Sequence, residues 1–118
     1  MADIVADLNA RHDLTMPVAA VAARREAGRV PFAVVSGSTR ESVTASLSAL
    51  GLLDRFDVLV CAGDYARPKP DPEAFLLAAR LLGVPPRSCL VFEDADLGIR
   101  AATEAGMASV RVPQPRQG

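Results

Sequence analysis

Residues 91–107 read VFEDADLGIRAATEAGM, and this stretch decides the fold that we predict. It opens at the end of residues 89–92, a short apolar run typical of a buried β-strand. Two acids, Glu93 and Asp94, follow the strand directly, and a helix is predicted over residues 96–105. The inward residues of that helix and its C-terminal cap are predicted to be Ile99, Ala102 and Gly106.

The rest of the chain alternates strands and helices in the same way. Further strands are predicted at residues 32–35, 58–61 and 110–112. A further helix is predicted over residues 17–27, with Val18, Val21 and Ala22 buried. Another is predicted to begin at a Ser38–Glu41 capping box and to end at Gly51. The last is predicted to run from an Asp71 N-cap to Gly83. This alternation implies an α/β fold, a three-layer, Rossmann-like, doubly wound and mainly parallel sheet. Ligands of such sheets bind at the carboxyl ends of the strands.

Small residues follow the strand at residues 32–35. Ser36, Gly37 and Ser38 form a loop that opens directly onto a helix, where unpaired N–H groups favour an anion. Ser36 could hold a phosphate oxygen there. The alternative is an ordinary helix start, since capping alone would explain Ser38.

The two later strand ends offer a cation and a pair of acids. Lys69 stands between two prolines, which restrict the backbone and limit where its ammonium group reaches. A held cation suits phosphate neutralisation, although proline-rich turns before helices are also common. Glu93 and Asp94 are hard oxygen ligands suited to magnesium, or else acids that favour a helix start.

The order of these motifs resembles the haloacid dehalogenase-like hydrolase superfamily. Ser-Gly-Ser after one strand, Lys-Pro-Asp-Pro-Glu before a helix and the stretch at residues 91–107 together carry the resemblance, over residues 31–112. The similarity is greatest to the β-phosphoglucomutase and sugar-phosphate phosphatase branch. Residues 31–112 are therefore expected to form the later part of that family's core.

The resemblance also implies roles for individual residues. Ser36, Gly37 and Ser38 would bind the phosphoryl group, Lys69 would steady charge as a catalytic and phosphate-binding residue, and Glu93 and Asp94 would hold Mg²⁺, with Asp94 the direct ligand. The family transfers the phosphoryl group to an aspartate carboxylate and then to water.

The aspartate nucleophile motif of the family is absent from this sequence. The nearest candidate, Asp7 in Asp7-Leu8-Asn9, lacks the second acid and the Gly-Thr that should follow. We expect residues 1–30 to be a cap remnant and linking helix and residues 113–118 a frayed tail. The central nucleophile strand and most of the cap are thus predicted to be missing, as in a truncated chain.

Loss of a central strand would leave two strand edges with unpaired backbone groups. We predict that this gap is closed. The two neighbouring strands could pair directly, the segment around Ile4 could insert, or another copy could donate a strand.

Composition excludes several classes of protein. The chain has 118 residues, 50% of them hydrophobic and 23% charged, with a net charge of -1, which fits one globular domain. Interspersed charges, one tyrosine and no tryptophan disfavour a nucleic-acid partner. No signal peptide or membrane segment is recognised, so a cytoplasmic protein without a membrane partner is predicted. Cys61 and Cys89 fit small core side chains.

The leading hypothesis is a magnesium-dependent phosphatase of a small phosphorylated metabolite, of the sugar-phosphate type, that is inactive as this chain. One alternative is a β-phosphoglucomutase-like phosphotransferase. Another is a non-catalytic remnant that binds anions or partners, as a homo-oligomer through an exposed sheet edge. Whether the chain is an enzyme stays open at this stage.

Overall fold

The computed structural model describes residues 18–23 and 30–113 of the chain. The strands are β1 (Val18–Ala23), β2 (Phe32–Ser36), β3 (Val58–Val60), β4 (Cys89–Glu93) and β5 (Ala108–Arg111), and the helices are α1 (Arg40–Ala49), α2 (Glu73–Leu82) and α3 (Asp96–Glu104). Asp7 and most of the predicted cap remnant and tail lie outside the described residues. No described helix has the length and apolar character needed to cross a membrane.

The five strands form one sheet in the order β3-β2-β1-β4-β5. β2 pairs in parallel with β3, and β4 pairs in parallel with β5. β1 is antiparallel to both of its neighbours, so the other four strands all run in the same direction. The predicted α/β sheet is confirmed, with one reversed strand at its centre.

β1 closes the gap that the sequence predicts at the middle of the sheet. Val21, for example, is level with Ala33 of β2 on one side and with Val91 of β4 on the other. Closure is confirmed, but it uses none of the three routes considered above. The inserted strand comes from within residues 17–27, where we predicted a helix.

The helix prediction at Val18–Ala23 is wrong because tertiary context outweighs local propensity. The segment reads VAAVAA, and its four alanines favour a helix. An apolar run without polar residues also suits a strand that is covered on both faces. Hydrogen bonding to two open strand edges decides between the two conformations.

Helices cover both faces of the sheet and give it three layers. Ala19, Val21 and Val91 pack in a core with α2 and α3, whereas Ala20 and Val34 pack with α1 on the opposite face. The two cysteines are free and buried, Cys89 in the first core and Cys61 in the second.

Helix ends agree with the sequence in one case and differ in two. Gly83 ends α2 in the left-handed conformation, with φ of 76°, as predicted. Asp71 Oδ1 accepts a hydrogen bond from the Glu73 N–H at 2.9 Å, but the N-cap of α2 is Pro72, so the predicted N-cap is wrong by one residue. The N-cap of α1 is Thr39, whose hydroxyl accepts from the Ser42 N–H at 3.1 Å. The Ser38–Glu41 capping box is therefore wrong by one residue.

Candidate anion and metal site

Ser36 is the last residue of β2 and is completely buried. Its hydroxyl oxygen accepts a hydrogen bond from the Ser38 N–H at 3.1 Å, and the Ser38 carbonyl accepts from the Ala62 N–H at 2.9 Å. The Ser36 carbonyl accepts from the Tyr65 hydroxyl at 3.3 Å. The loop after β2 is thus held by one internal hydrogen bond and by two hydrogen bonds from neighbouring residues.

Lys69 reaches the same edge of the sheet from the segment before α2. Its Nζ lies 2.8 Å from Glu93 Oε2 and 5.5 Å from the centre of the Phe75 ring. The Lys69 side chain is 17% exposed, and the Lys69–Pro70 peptide bond is cis. The ammonium group is therefore held between a carboxylate and an aromatic face, with limited access to solvent.

Glu93 ends β4 and is completely buried. Its Oε1 accepts hydrogen bonds from the N–H groups of Asp94 at 3.0 Å and Ala95 at 3.2 Å, while Oε2 accepts from Lys69. The side chain lies directly against α3, because a Cβ added at Gly98 would be 1.9 Å from Glu93 Oε2. Only glycine leaves room for the carboxylate at this position.

Asp94 lies beside Glu93 at the edge of the site and is 9% exposed. Burial raises the pKa of its carboxyl group, and the hydrogen bond and negative charge of Glu93 raise the pKa further. The Asp94 carbonyl accepts a hydrogen bond from Arg111 at 3.3 Å, and Arg111 also pairs with Asp96. Asp94 is thus an acid whose negative charge is disfavoured here, although the nearby charge of Lys69 partly offsets the rise in its pKa.

Glu93 and Asp94 supply only part of the ligand set that a magnesium ion needs. Both Glu93 oxygens already accept hydrogen bonds, and the described residues contain no group of three or more His, Cys, Asp or Glu that could hold a metal. Mg²⁺ is often bound by one or two carboxylates, with water and substrate phosphate as the remaining ligands. Asp94 fits such a water-rich site as a single carboxylate ligand, and Glu93 binds Lys69 and the backbone.

Ser36 and Glu93 are the last residues of β2 and β4, the two strands that flank β1 and run in the same direction. They therefore lie at the same end of the sheet. Two strand spacings, about 10 Å, separate those strands. Within β1 the residue level with Ser36 is Val18, which has no nucleophilic atom. The described central strand therefore supplies no carboxylate between the loop after β2 and the acids.

Sequence reasoning missed two residues that shape the site. Tyr65 follows β3, so the strand-end rule could have singled it out, but nothing in the sequence shows that its hydroxyl meets Ser36. Gly98 lies inside a helix, where an isolated glycine lowers helix stability. A glycine at such a position was the sequence signal that could have identified it. Arg40, the first residue of α1, contacts Asp64 at 2.5 Å and the Leu59 carbonyl at 3.1 Å.

A family model for haloacid dehalogenase-like hydrolases matches residues 3–106. The chain belongs to the haloacid dehalogenase-like hydrolase family. Lys69, Glu93 and Asp94 all lie inside the matched range. The family predicted from the sequence is therefore confirmed.

Phosphatases are among the curated relatives of this haloacid dehalogenase-like chain. It is 49% identical over 85 residues to the fructose-1-phosphate phosphatase of Escherichia coli (strain K12), covering 72% of this chain and 45% of the relative. It is 45% identical over 82 residues to the validoxylamine A 7'-phosphate phosphatase of Streptomyces hygroscopicus subsp. limoneus, covering 70% and 38%. The chain thus spans less than half the length of these relatives.

Solved structures of the family share the fold. A hydrolase of the superfamily from Geobacter sulfurreducens superposes with a TM-score of 0.67 at 29% identity, over 75% of this chain and 42% of that one. A structure described as a putative β-phosphoglucomutase from Thermotoga maritima gives a TM-score of 0.62 at 34% identity, over 73% and 41%. The second similarity agrees with the branch predicted from residues 91–107.

Proposed function

We propose that this chain provides the anion- and magnesium-binding part of a phosphatase acting on small phosphorylated metabolites. The observation that carries the proposal is the Lys69 ammonium, held against Glu93 at the sheet edge where Ser36 ends β2. Lys69 is the only lysine of the chain. The sugar-phosphate phosphatases among the relatives support the same class of substrate.

Each residue has a chemical task in this proposal. Lys69 and the amides of Gly37 and Ser38 offset negative charge on phosphate oxygens, and the Ser36 hydroxyl hydrogen-bonds the phosphate. Asp94 is the direct magnesium ligand, and Glu93 supports the ion by fixing Asp94 and Lys69. When bound, the ion would add positive charge against the phosphate oxygens.

Turnover by the chain itself is not part of the proposal. Transfer to an enzyme carboxylate needs an aspartate beside the phosphate, and the described central strand has Val18 at that level. The alternative of a phosphoglucomutase-like transferase needs the same nucleophile. The position of Val18 therefore favours binding without catalysis.

We also propose a cytoplasmic location, because two buried free thiols on opposite faces of the sheet suit a reducing compartment.

The first experiment separates binding from turnover. Inorganic phosphate is titrated with the 118-residue chain and followed by ³¹P NMR, with and without Mg²⁺, and fructose 1-phosphate is then incubated with the same sample. We expect phosphate to bind more tightly with Mg²⁺ and no phosphate to be released. Release that depends on Mg²⁺ and is lost in Asp7→Asn would overturn the proposal of an inactive chain.

Two variants test the assigned groups. Lys69→Gln should weaken phosphate binding at least tenfold, whereas Arg87→Gln should not change it. Arg87 is the matched control because it is an exposed cation before the start of β4, at the opposite sheet edge. Asp94→Asn should abolish the gain from Mg²⁺ and preserve binding without the ion. Equal phosphate affinity in Lys69→Gln and Arg87→Gln would refute the site.

A further inference from the structure

Tyr65 lies against the loop after β2 but has no role in the family resemblance described above. Its hydroxyl donates to the Ser36 carbonyl at 3.3 Å, and it lies 3.9 Å from the position of a Cβ added at Gly37. The ring is half-buried and packs against the core that includes α2. Tyr65 is thus a fixed side chain whose polar end meets the backbone of the proposed anion site.

The Ser36 carbonyl and the Gly37 N–H belong to one peptide unit. A trans peptide is planar, so its C=O and N–H point in opposite directions. A hydroxyl that holds the carbonyl on one side therefore also fixes the direction of the N–H on the other side. Gly37 is exposed, and among residues 18–23 and 30–113 its N–H has no hydrogen-bond acceptor.

Two other hydrogen bonds of the loop do not involve the Ser36–Gly37 peptide. The Ser38 N–H donates to the Ser36 hydroxyl, and the Ser38 carbonyl accepts from Ala62, but neither atom belongs to the Ser36–Gly37 peptide. The phenol is the described side chain that contacts this peptide's oxygen. Rotation of the peptide would break that hydrogen bond.

We propose that Tyr65 is a positioning residue that directs the Gly37 amide toward a bound phosphate. The inference rests on the proposed anion site and adds a residue to it. Tyr65 acts through the backbone and does not contact the phosphate. Its hydroxyl is therefore the group that matters, while its ring supplies packing that phenylalanine would preserve.

The test compares the chain with Tyr65→Phe, which removes only the hydroxyl. Phosphate binding is measured by ³¹P NMR, and the Gly37 ¹⁵N and Ser36 carbonyl ¹³C shifts are recorded without phosphate. We expect binding to weaken roughly three- to tenfold, the range that one hydrogen bond accounts for. Both shifts should change, because they report the hydrogen bond on that peptide directly.

Thr103→Val is the matched control. The Thr103 hydroxyl also donates to a backbone carbonyl, that of Ile99 at 3.1 Å, but at an exposed position of α3. This variant should bind phosphate as the unchanged chain does and leave the Gly37 and Ser36 shifts in place. A general loss of order in Tyr65→Phe would move amide shifts throughout the sheet, not only those of the loop.

The outcomes separate the two proposals. If the unchanged chain binds phosphate and Tyr65→Phe binds it equally well, the role of Tyr65 is refuted and the anion site stands. Weaker binding without a change at the Ser36–Gly37 peptide would also refute the positioning role. If the unchanged chain binds no phosphate, the proposed function fails and the inference about Tyr65 fails with it.

Discussion

The Lys69 ammonium lies 2.8 Å from a carboxylate oxygen of Glu93, and the Glu93 side chain is completely buried. Lys69 itself keeps 17% of its side chain exposed. The two partners therefore differ in what happens when the other is removed. A lone buried carboxylate has lost its counter-ion, whereas a lone lysine can turn toward water.

Lys69→Met should destabilise the chain more than Glu93→Gln does. Leaving a buried charge unpaired costs about 3–5 kcal/mol, and Glu93 would be that charge in Lys69→Met. The free energies of unfolding of both variants and of the double variant are to be measured by urea denaturation. The double variant should recover part of the loss, and strictly additive effects would contradict a coupled pair.

Gly98→Ala should disturb Glu93 because an alanine methyl would overlap its carboxylate. The added Cβ would lie 1.9 Å from Oε2 and 2.2 Å from Cγ of Glu93, so the side chain must leave its place. Overpacking of this kind costs about 1–3 kcal/mol of unfolding free energy, measurable by urea denaturation.

Gly37→Ala is the control for that substitution. Its nearest contact would be the Tyr65 hydroxyl oxygen at an ordinary 3.9 Å, and Gly37 is not among the positive-φ glycines. We expect little change in its unfolding free energy. In a Glu93→Ala background, Gly98→Ala should also become nearly neutral, and an unchanged cost there would show that another contact is responsible.

Thr39→Ala and Ser38→Ala distinguish the observed cap of α1 from the one predicted by the sequence. The Thr39 hydroxyl accepts the Ser42 N–H, so its removal should cost about 1 kcal/mol of unfolding free energy. Ser38 contributes its backbone N–H to the Ser36 hydroxyl, and alanine retains that group. Thermal unfolding of the two variants should therefore show the larger loss for Thr39→Ala. The reverse order would restore the capping box at Ser38.

The phenol of Tyr65 should titrate above its usual value near 10. Burial raises the pKa of this group, and the nearby Cys61 and Asp64 raise the pKa further. Tyr65 is the only tyrosine of the chain, so phenolate absorbance at 295 nm reports this residue alone. In denaturant the titration should return to the usual value.

The same shift predicts how stability depends on pH. Below pH 10 the phenol is protonated in both the folded and the unfolded state, so it adds no pH dependence. Above pH 10 the unfolded state loses the proton first, and the free energy of unfolding falls as pH rises toward the folded-state pKa. Tyr65→Phe should lack this component, and an identical alkaline profile in both proteins would contradict the assignment.

The sequence by itself determined β4, the two acids at its carboxyl end and the helix that follows. Their patterns are local: an apolar run, then charged residues, then inward positions at helical spacing. Lys69 was found from its place between two prolines. Its partner Glu93, however, is 24 residues away in the chain, and no local pattern encodes that contact.

Only the tertiary structure decided what fills the centre of the sheet. VAAVAA is compatible with a helix and with a strand, because alanine and valine occur in both when every face is apolar. The open edges of β2 and β4 offer hydrogen bonds that a helix could not use, and they select the strand. The contact of Tyr65 with Ser36 was decided in the same way, since it joins segments that are 29 residues apart in the chain.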